Sequence, residues 1–314
     1  MMTNPLTAIE AARAMFQEGF ERQAQQIQSR FRNFADVKTG LTGKSQVYKK
    51  IRKMEMNDVT GRFQPTVGDE ANWEYRYLFP RKAEKVTILD EDDASELGLS
   101  VAPTGEIRLE HASAAARKID DIFLAGILGT NYEGAEESIQ PAEIPLSQTI
   151  LSNYSRDGST AHTGLTLAKL VRAKGRFGKL EVYGQDLDDG GDRVCMAVSQ
   201  DELDNLLHDV EQTGSADYNS VKALVDGKVD YFMGVWFLRT ERLPFVSAGA
   251  GKIDRTCPMW LRNGVRLGFW DDVETTIKEL TNPDGALQIR SKLRANAHRK
   301  DEDRVVSVIC RQDA

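Results

Sequence analysis

Apolar side chains in the first forty residues recur at intervals of three or four, the spacing of one face of an α-helix. Phe16, Phe20 and Phe31 belong to this stripe, and residues 7–10 form a capping box that starts it. The pattern predicts a long helical arm over residues 9–34. A narrow aromatic stripe packs either on its own domain or on a neighbouring chain, and the sequence leaves both open.

Residues 44–88 change to the spacing of extended chain, interrupted by turn residues between 57 and 68. Trp73, Tyr75 and Tyr77 fall at every second position, which predicts a strand with one aromatic face. The limb before the turn is basic and contains Lys49, Lys50, Arg52 and Lys53. Together the limbs predict a long β-hairpin. Because a lone hairpin is only marginally stable in water, this one requires a surface to lie on.

An acidic stretch, Asp90, Glu91, Asp92 and Asp93, follows the second limb of the predicted hairpin, whereas the first limb is basic. One interpretation is a solvated loop with surface ion pairs worth ~0–1 kcal/mol each. The other is charge matching between the basic limb of one chain and the body of the next, which would set register and partner choice.

A second long helix is predicted over residues 104–129, where apolar residues such as Ile119 and Phe123 form the buried side. Asp120 is expected in solvent, and small residues at 112–116 allow another element to approach closely. Gly129 is expected to end the helix.

Residues 180–285 alternate between strand and helix spacing, which predicts a subdomain of the α+β or α/β class. The predicted strands lie at 180–183, 193–198, 229–238 and 259–268. Helices are predicted at 166–176, 201–210 and 271–280.

A closing strand over 287–297 has an apolar face and a basic face that carries Arg290, Lys292 and Arg294. Residues 305–309 are predicted to return as its antiparallel partner.

The composition excludes several classes of protein. A chain of 314 residues with 40% apolar and 28% charged residues is typical of a soluble globular protein. Its formal net charge of −7 argues against nucleic-acid binding driven by overall charge. The N-terminal residues lack the pattern of a signal peptide, so a cytoplasmic chain is expected. Cys195, Cys257 and Cys310 are expected to be buried, reduced thiols.

The sequence predicts no catalytic residue, cofactor or metal. Residues 247–252 resemble the end of a phosphate-binding loop, but Val246 holds the position of its first glycine and Ile253 follows the lysine. Residues 186–192 resemble a calcium loop, but its twelfth position is Ala197 instead of a glutamate. The four histidines show no metal-binding spacing.

The order of these elements resembles the major capsid proteins of tailed double-stranded DNA bacteriophages, which have the Hong-Kong-97-type fold. The fold class that this resemblance implies is α+β. Residues 229–244, 256–268 and 297–306 are similar to local sequences of such proteins. The resemblance implies an N-terminal helical arm at 1–39, an E-loop at 40–95, a peripheral domain at 96–179 with the spine helix at 104–129, an axial domain at 180–285, and peripheral strands at 286–314.

The same resemblance implies a subunit that assembles as pentamers and hexamers into an icosahedral shell around double-stranded DNA. Implied partners are further copies of the chain, a portal protein, a separate scaffolding protein and, optionally, a decoration protein. The expected location is the virion capsid, assembled in the host cytoplasm, and no membrane is involved. An encapsulin-like compartment shell and a cytoplasmic α/β enzyme are the alternatives.

In such a shell the helical arm and the E-loop are expected to reach neighbouring subunits. The candidate interface residues are Phe16, Phe20, Phe31, Lys49, Lys50, Arg52, Lys53, Trp73, Tyr75, Tyr77, Asp90, Glu91, Asp92 and Asp93. Two groups of basic residues either face DNA phosphates without sequence preference or pair with acids of adjacent subunits, the interpretation that we favour. They are Arg290, Lys292 and Arg294 on the closing strand, and Arg13, Arg22, Arg30 and Arg32 on the arm.

Overall fold

The computed structural model describes residues 25–51, 53–56, 58, 61, 68, 73–89, 104–135, 138–182, 192–212, 218–227, 230–279 and 287–313. Four α-helices lie in these ranges: α1 (Thr104–Leu128), α2 (Leu167–Lys179), α3 (Gln200–Gln212) and α4 (Tyr218–Val225). Among the described helices none is long and apolar enough to cross a membrane.

A four-stranded sheet lies against the long helix α1. Its order is β1 (Asp36–Lys38), β13 (Val265–Glu279), β14 (Leu287–Arg299) and β4 (Arg81–Leu89). Helix and sheet approach each other closely at Gly126, where an added Cβ would lie 2.4 Å from the carbonyl oxygen of Ala297. A glycine is therefore required at this crossing. The close approach predicted for the small residues at 112–116 did not include this position.

A second, larger sheet forms the centre of the chain. Its order is β7 (Thr149–Ile150), β15 (Val305–Asp313), β12 (Lys252–Leu261), β8 (Val194–Val198), β10 (Val235–Arg239) and β9 (Tyr231–Phe232), and β11 (Phe245–Gly249) pairs with β12. Every residue of β8 is buried. Apolar residues of α2, α3 and α4 belong to the same hydrophobic core as these strands. Burying so much apolar surface is what stabilises this part of the chain.

A third sheet contains the predicted hairpin, in the order β2 (Gln46–Ile51), β3 (Trp73–Leu78), β5 (Asn131–Ala135) and β6 (Ser138–Ala142). The hairpin is confirmed, with Val47 opposite Tyr77 and Ile51 opposite Trp73. The extended chain after it does not continue the hairpin, because β4 pairs with β14 in another sheet.

Several predicted elements are confirmed within a few residues, including α1, α2, α3, β8 and β14. One continuous strand was predicted at 229–238. Residue 229 is not described, and the rest of this range forms a tight hairpin of β9 and β10. Met233 and Gly234 have φ values of 51° and 79°, the left-handed conformation that a two-residue turn uses.

The helix predicted at 271–280 is wrong, because β13 continues as strand to Glu279. Its β-branched residues Val273, Thr275 and Thr276 favour extended chain, and β14 supplies hydrogen-bond partners beside them. The strand predicted at 180–183 is also wrong in its described part. Leu180 caps α2, and Glu181 has a φ of 56°.

The predicted pairing of the last two strands is wrong. β14 lies between β13 and β4, whereas β15 pairs with β12. A 3-10 turn at Glu302–Arg304, capped by the side chain of Asp301, redirects the chain into the other sheet. The sheets therefore cross the domain boundary predicted at residue 286.

Candidate subunit interface

The N-terminal segment, defined here as residues 25–38, is bound to α1 through Asp120. This carboxylate is wholly buried and accepts hydrogen bonds from Ser29 Oγ at 2.6 Å, the Arg30 amide at 3.1 Å and the Phe31 amide at 3.4 Å. A buried carboxylate requires such donors. The prediction that Asp120 lies in solvent is wrong, because the returning segment supplies its partners.

These contacts also replace the predicted helix in the described part of the arm. Residues 25–31 form no helix, a short 3-10 turn spans Arg32–Phe34, and β1 pairs with β13. The amides of Arg30 and Phe31 donate to a side chain and not to a helical carbonyl.

Phe31 is an anchor within its own chain. It is wholly buried, stacks on Phe123 at 5.1 Å between ring centroids, and meets Trp260 edge-on at 5.9 Å. The Trp260 indole N–H donates to the carbonyl oxygen of Phe34 at 2.9 Å. The structure therefore contradicts an interface role for Phe31. Phe16 and Phe20 lie outside the described residues.

The arginines of this segment also have partners inside the chain. Arg32 forms two hydrogen bonds with Asp272, at 3.2 and 2.6 Å, and its guanidinium lies 4.6 Å from the ring centre of Phe269. The hydrogen bond from Arg32 lowers the pKa of Asp272. Arg30 donates to the carbonyl oxygen of Arg239. Arg13 and Arg22 lie outside the described residues.

The base of the β2–β3 hairpin is fixed by buried charge. Arg76 is buried and bonds both carboxylate oxygens of Glu302, with a Nη1–Oε1 distance of 2.7 Å, and Glu133 lies 3.0 Å from its Nη2. Lys50 lies 3.0 Å from Asp301 and 3.8 Å from Glu74. These pairs tie both strands of the hairpin to the turn between β14 and β15.

The face of the hairpin opposite to Lys50 and Arg76 is exposed. Cross-strand pairing puts Val47, Lys49 and Ile51 of β2 on the same face as Trp73 and Tyr75 of β3. Ile51 and Trp73 are each 49% exposed, and Lys49 lies 5.8 Å from the ring centre of Tyr75. We call these five residues the open face. Grouped apolar exposure of this kind is common on surfaces that contact other proteins.

The other hairpin residues predicted as interface differ in position. Tyr77 shares the side of the open face but is buried at the base. Lys53 is exposed and lies 3.4 Å from an exposed Glu181, a pair of little energetic weight. Arg52 and residues 90–93 lie outside the described residues, so the charge-matching interpretation stays a prediction.

The basic face of β14 is confirmed, but its partners belong to the same chain. Arg290 bonds Glu84 of β4, with a Nε–Oε2 distance of 3.1 Å, and Arg294 lies 3.3 Å from Asp271 of β13. Lys292 is exposed. Arg290 and Arg294 are therefore partly neutralised within the chain, and their pairing with acids of an adjacent subunit stays a prediction.

Among the described residues, Glu202, Cys257 and Cys310 form one group of potential metal ligands, with atoms within 4.8 Å of one another. All three are buried. Hydrogen bonding with Cys310 and burial raise the pKa of Cys257, and burial raises the pKa of Glu202. Both shifts favour the protonated groups, which are poor metal ligands, so the group is better explained as a polar part of the core. The three cysteines are free and buried, as predicted.

Sequence reasoning missed Arg299, which is wholly buried beneath the end of α1. Its guanidinium donates to the carbonyl oxygens of Ile127 at 2.8 Å, Gly129 at 2.6 Å and Ala142 at 2.8 Å. Burial lowers its pKa to about 10. A cation here satisfies carbonyls that the helix leaves without partners. The alternation along β14 puts residue 299 on the apolar face, the one local signal of its burial.

Comparison with known proteins gives a consistent result. A family model described as phage capsid protein matches residues 8–312. No curated protein sequence gives a significant match.

Solved phage capsids share the fold. The mature capsid of bacteriophage PhiM1 matches with a TM-score of 0.61 and 15% identity, covering 92% of this chain and 89% of that chain. The capsid of cyanophage Pam1 gives 0.61 and 13%, covering 92% and 94%. The structure from Mycobacterium phage Ogopogo gives 0.63 and 15%, covering 93% and 94%. The chain therefore belongs to the phage capsid protein family and has the Hong-Kong-97-type fold of tailed-phage major capsid proteins.

Proposed function

We propose that this chain is the major subunit of a tailed-phage capsid, which assembles as pentamers and hexamers into an icosahedral shell around double-stranded DNA. The open face of the hairpin is the observation that carries this proposal. It presents grouped apolar side chains on a unit whose base is held rigidly by buried ion pairs. Family membership supports the structural role, and the virion is where such a protein resides.

The energetics of a shell suit a surface of this kind. A contact of ~4 kcal/mol has only millimolar affinity by itself. In a closed shell each subunit makes several such contacts at once, and the effective concentration of neighbours makes the assembly stable. The open face exposes a few grouped apolar side chains, which suits it to contribute one of these contacts.

Within this proposal the regions take the roles expected from the family. Residues 1–39 form the N-arm, 40–95 the E-loop, 96–179 and 286–314 the peripheral domain with α1 as the spine helix, and 180–285 the axial domain. The sheets refine this division. β13 of the proposed axial range pairs with β14 of the peripheral range, and β15 of the peripheral range pairs with β12 of the axial range. Further partners in the proposal are a scaffolding protein, a portal protein and, optionally, a decoration protein, with assembly in the host cytoplasm.

Packaged DNA is proposed to meet the shell through local, sequence-independent contacts. The net charge of −7 makes the subunit repel DNA as a whole, which limits adhesion to the inner wall. Lys292 remains exposed on the basic face, whereas Arg290 and Arg294 have acidic partners in the chain. An encapsulin-like shell would contain protein cargo instead, but the family match favours the phage capsid.

Assembly of an open-face variant tests the proposal. We expect the double variant Ile51→Asp, Trp73→Asp to fold normally but to form no closed shells, because it puts charge where a neighbour must bury apolar surface. Leu146→Asp is the matched control, since Leu146 is more exposed and lies outside the hairpin. Electron microscopy and sedimentation, with a scaffolding protein present, measure the result. Normal shells from the double variant would contradict the proposal.

A further inference from the structure

A positively charged cavity lies where the base of the hairpin meets the turn after β14. Its volume is about 310 Å³. The cations that line it are Lys49, Lys50, Arg76, Arg266, Lys300 and Arg304. So many cations in one cavity are stable only if anions offset them.

The chain's own acids offset part of this charge. Asp36 lies 2.9 Å from Arg266 and 2.7 Å from Lys300. Burial alone would raise the pKa of Asp36, but its hydrogen bonds to these two cations outweigh burial and hold the pKa below its ordinary value. Asp36 is therefore ionised and fully engaged. Arg76 and Lys50 have the carboxylate partners described above.

Lys49 and Arg304 are different, because neither forms an ion pair with another described residue. Lys49 has only the ring of Tyr75 beneath it. The cavity therefore keeps a positive surplus from these two side chains.

His298 gives an independent sign of a missing partner. Its side chain lines the cavity and is only 2% exposed, and its Nδ1 has no hydrogen-bond partner in the described structure. The ring stacks on Tyr48 at 5.1 Å, and the guanidinium of Arg266 lies 4.2 Å from the centre of that tyrosine ring. Packing therefore fixes the imidazole in place. A buried polar nitrogen without a partner is unfavourable, so a ligand that accepts its N–H would be favoured.

We infer that this cavity is an oxyanion site, which takes a phosphate ion or a carboxylate group between Lys49, Arg304 and the imidazole of His298. Guanidinium and ammonium groups bind both anions through charge-assisted hydrogen bonds. Burial and the neighbouring cations lower the pKa of His298 to about 3, so its imidazole is neutral and donates from one nitrogen.

The oxyanion has two sources, a free phosphate ion or an acidic side chain of a second copy of this chain. Lys49 belongs both to the cavity and to the open face, so the site is continuous with the proposed subunit interface. Only the second source rests on the proposed function.

Binding to the unassembled, full-length chain tests the site itself. We expect pyrophosphate to raise the unfolding midpoint of the wild type more than sodium chloride of matched ionic strength. The double variant Lys49→Gln, Arg304→Gln should bind at least ten-fold more weakly. The matched control is Arg290→Gln, Lys292→Gln, which removes two cations outside the cavity and should bind like wild type. Equal stabilisation of all three chains, or none of the wild type, would overturn the inference.

His298→Phe provides a second readout, because it keeps an aromatic ring on Tyr48 but removes the nitrogen. We expect its pyrophosphate affinity to fall several-fold with the two cations still present. If this variant folds and binds like wild type, the role of the imidazole is refuted.

Assembly kinetics then identify the source. If a carboxylate of a second copy occupies the site, pyrophosphate competes with it and slows shell assembly of the wild type but not of the Lys49, Arg304 double variant. If free phosphate is the ligand, assembly is unchanged or faster. If pyrophosphate changes the assembly rate of both chains equally, its effect on assembly does not act through this site. If the wild-type chain forms no shells at all, the proposed function is contradicted, but the binding result still stands.

Discussion

The N-terminal segment and the β2–β3 hairpin are both rich in aromatic and basic residues, but they differ in where these side chains find their contacts. In the segment, Phe31 and the backbone amides are satisfied inside the chain by Phe123 and Asp120. In the hairpin, Lys50 and Arg76 have carboxylate partners in the same chain, while the open face remains in solvent. An aromatic stripe alone thus does not distinguish an anchor from an interface. The difference lies in whether the same chain supplies the partners.

The largest expected effect is at the anchor of the segment. Phe31→Ala should lower the free energy of unfolding by about 3–5 kcal/mol, because it removes a fully buried ring between Phe123 and Trp260. Ile27→Ala is the matched control, since Ile27 is 61% exposed in the same segment and should change stability by less than about 0.5 kcal/mol. Denaturant unfolding measures both. Similar losses at the two positions would remove the distinction between anchor and surface.

At the base of the hairpin, Arg76→Met should cost about 3 kcal/mol, because it leaves the carboxylates of Glu302 and Glu133 without their buried cation. Lys53→Met removes an exposed partner of Glu181 and should cost less than about 0.5 kcal/mol. Hydrogen exchange of the β2 and β3 amides should rise in the first variant only. Unchanged protection there would show that the base does not depend on this ion pair.

Acid should lower the free energy of unfolding through His298. The pKa of this residue is lowered to about 3 by burial first, then by Arg266, Arg76 and Lys300, with Asp36 opposing them. Between pH 6.5 and 3 the unfolded chain binds a proton there that the folded chain does not. Stability should therefore fall by about 1.4 kcal/mol for each unit of decreasing pH in this window. His298→Gln should remove that part of the slope, and an unchanged slope would contradict the assignment.

The smallest effect on stability is expected at the open face. Ile51→Thr keeps a β-branched residue in the strand and should change the free energy of unfolding by less than about 0.5 kcal/mol. Shell assembly should nevertheless slow measurably by light scattering, since the apolar contact is weakened. A large loss of stability would mean that Ile51 is packed within its own chain.

The parts of this structure that the sequence predicted are those whose partners lie nearby or whose pattern is long. The periodicity of α1 and the alternation of β2, β3 and β14 are enough to define these elements. Asp120, Arg299 and the pairing of β15 were beyond prediction, because each depends on residues far away in sequence. The open face was predicted as part of the hairpin, whereas the cavity around His298 required three distant regions to be brought together.

The contacts of Asp120 also have a consequence for the order in which the chain folds. Residues 25–38 leave the ribosome about ninety positions before Asp120, and β1 waits for its neighbour β13 until residues 265–279 have been made. Contacts so distant in sequence form slowly. We therefore expect the segment to be among the last pieces to dock, with its phenylalanines open until then to chaperones and to chance association with other nascent chains.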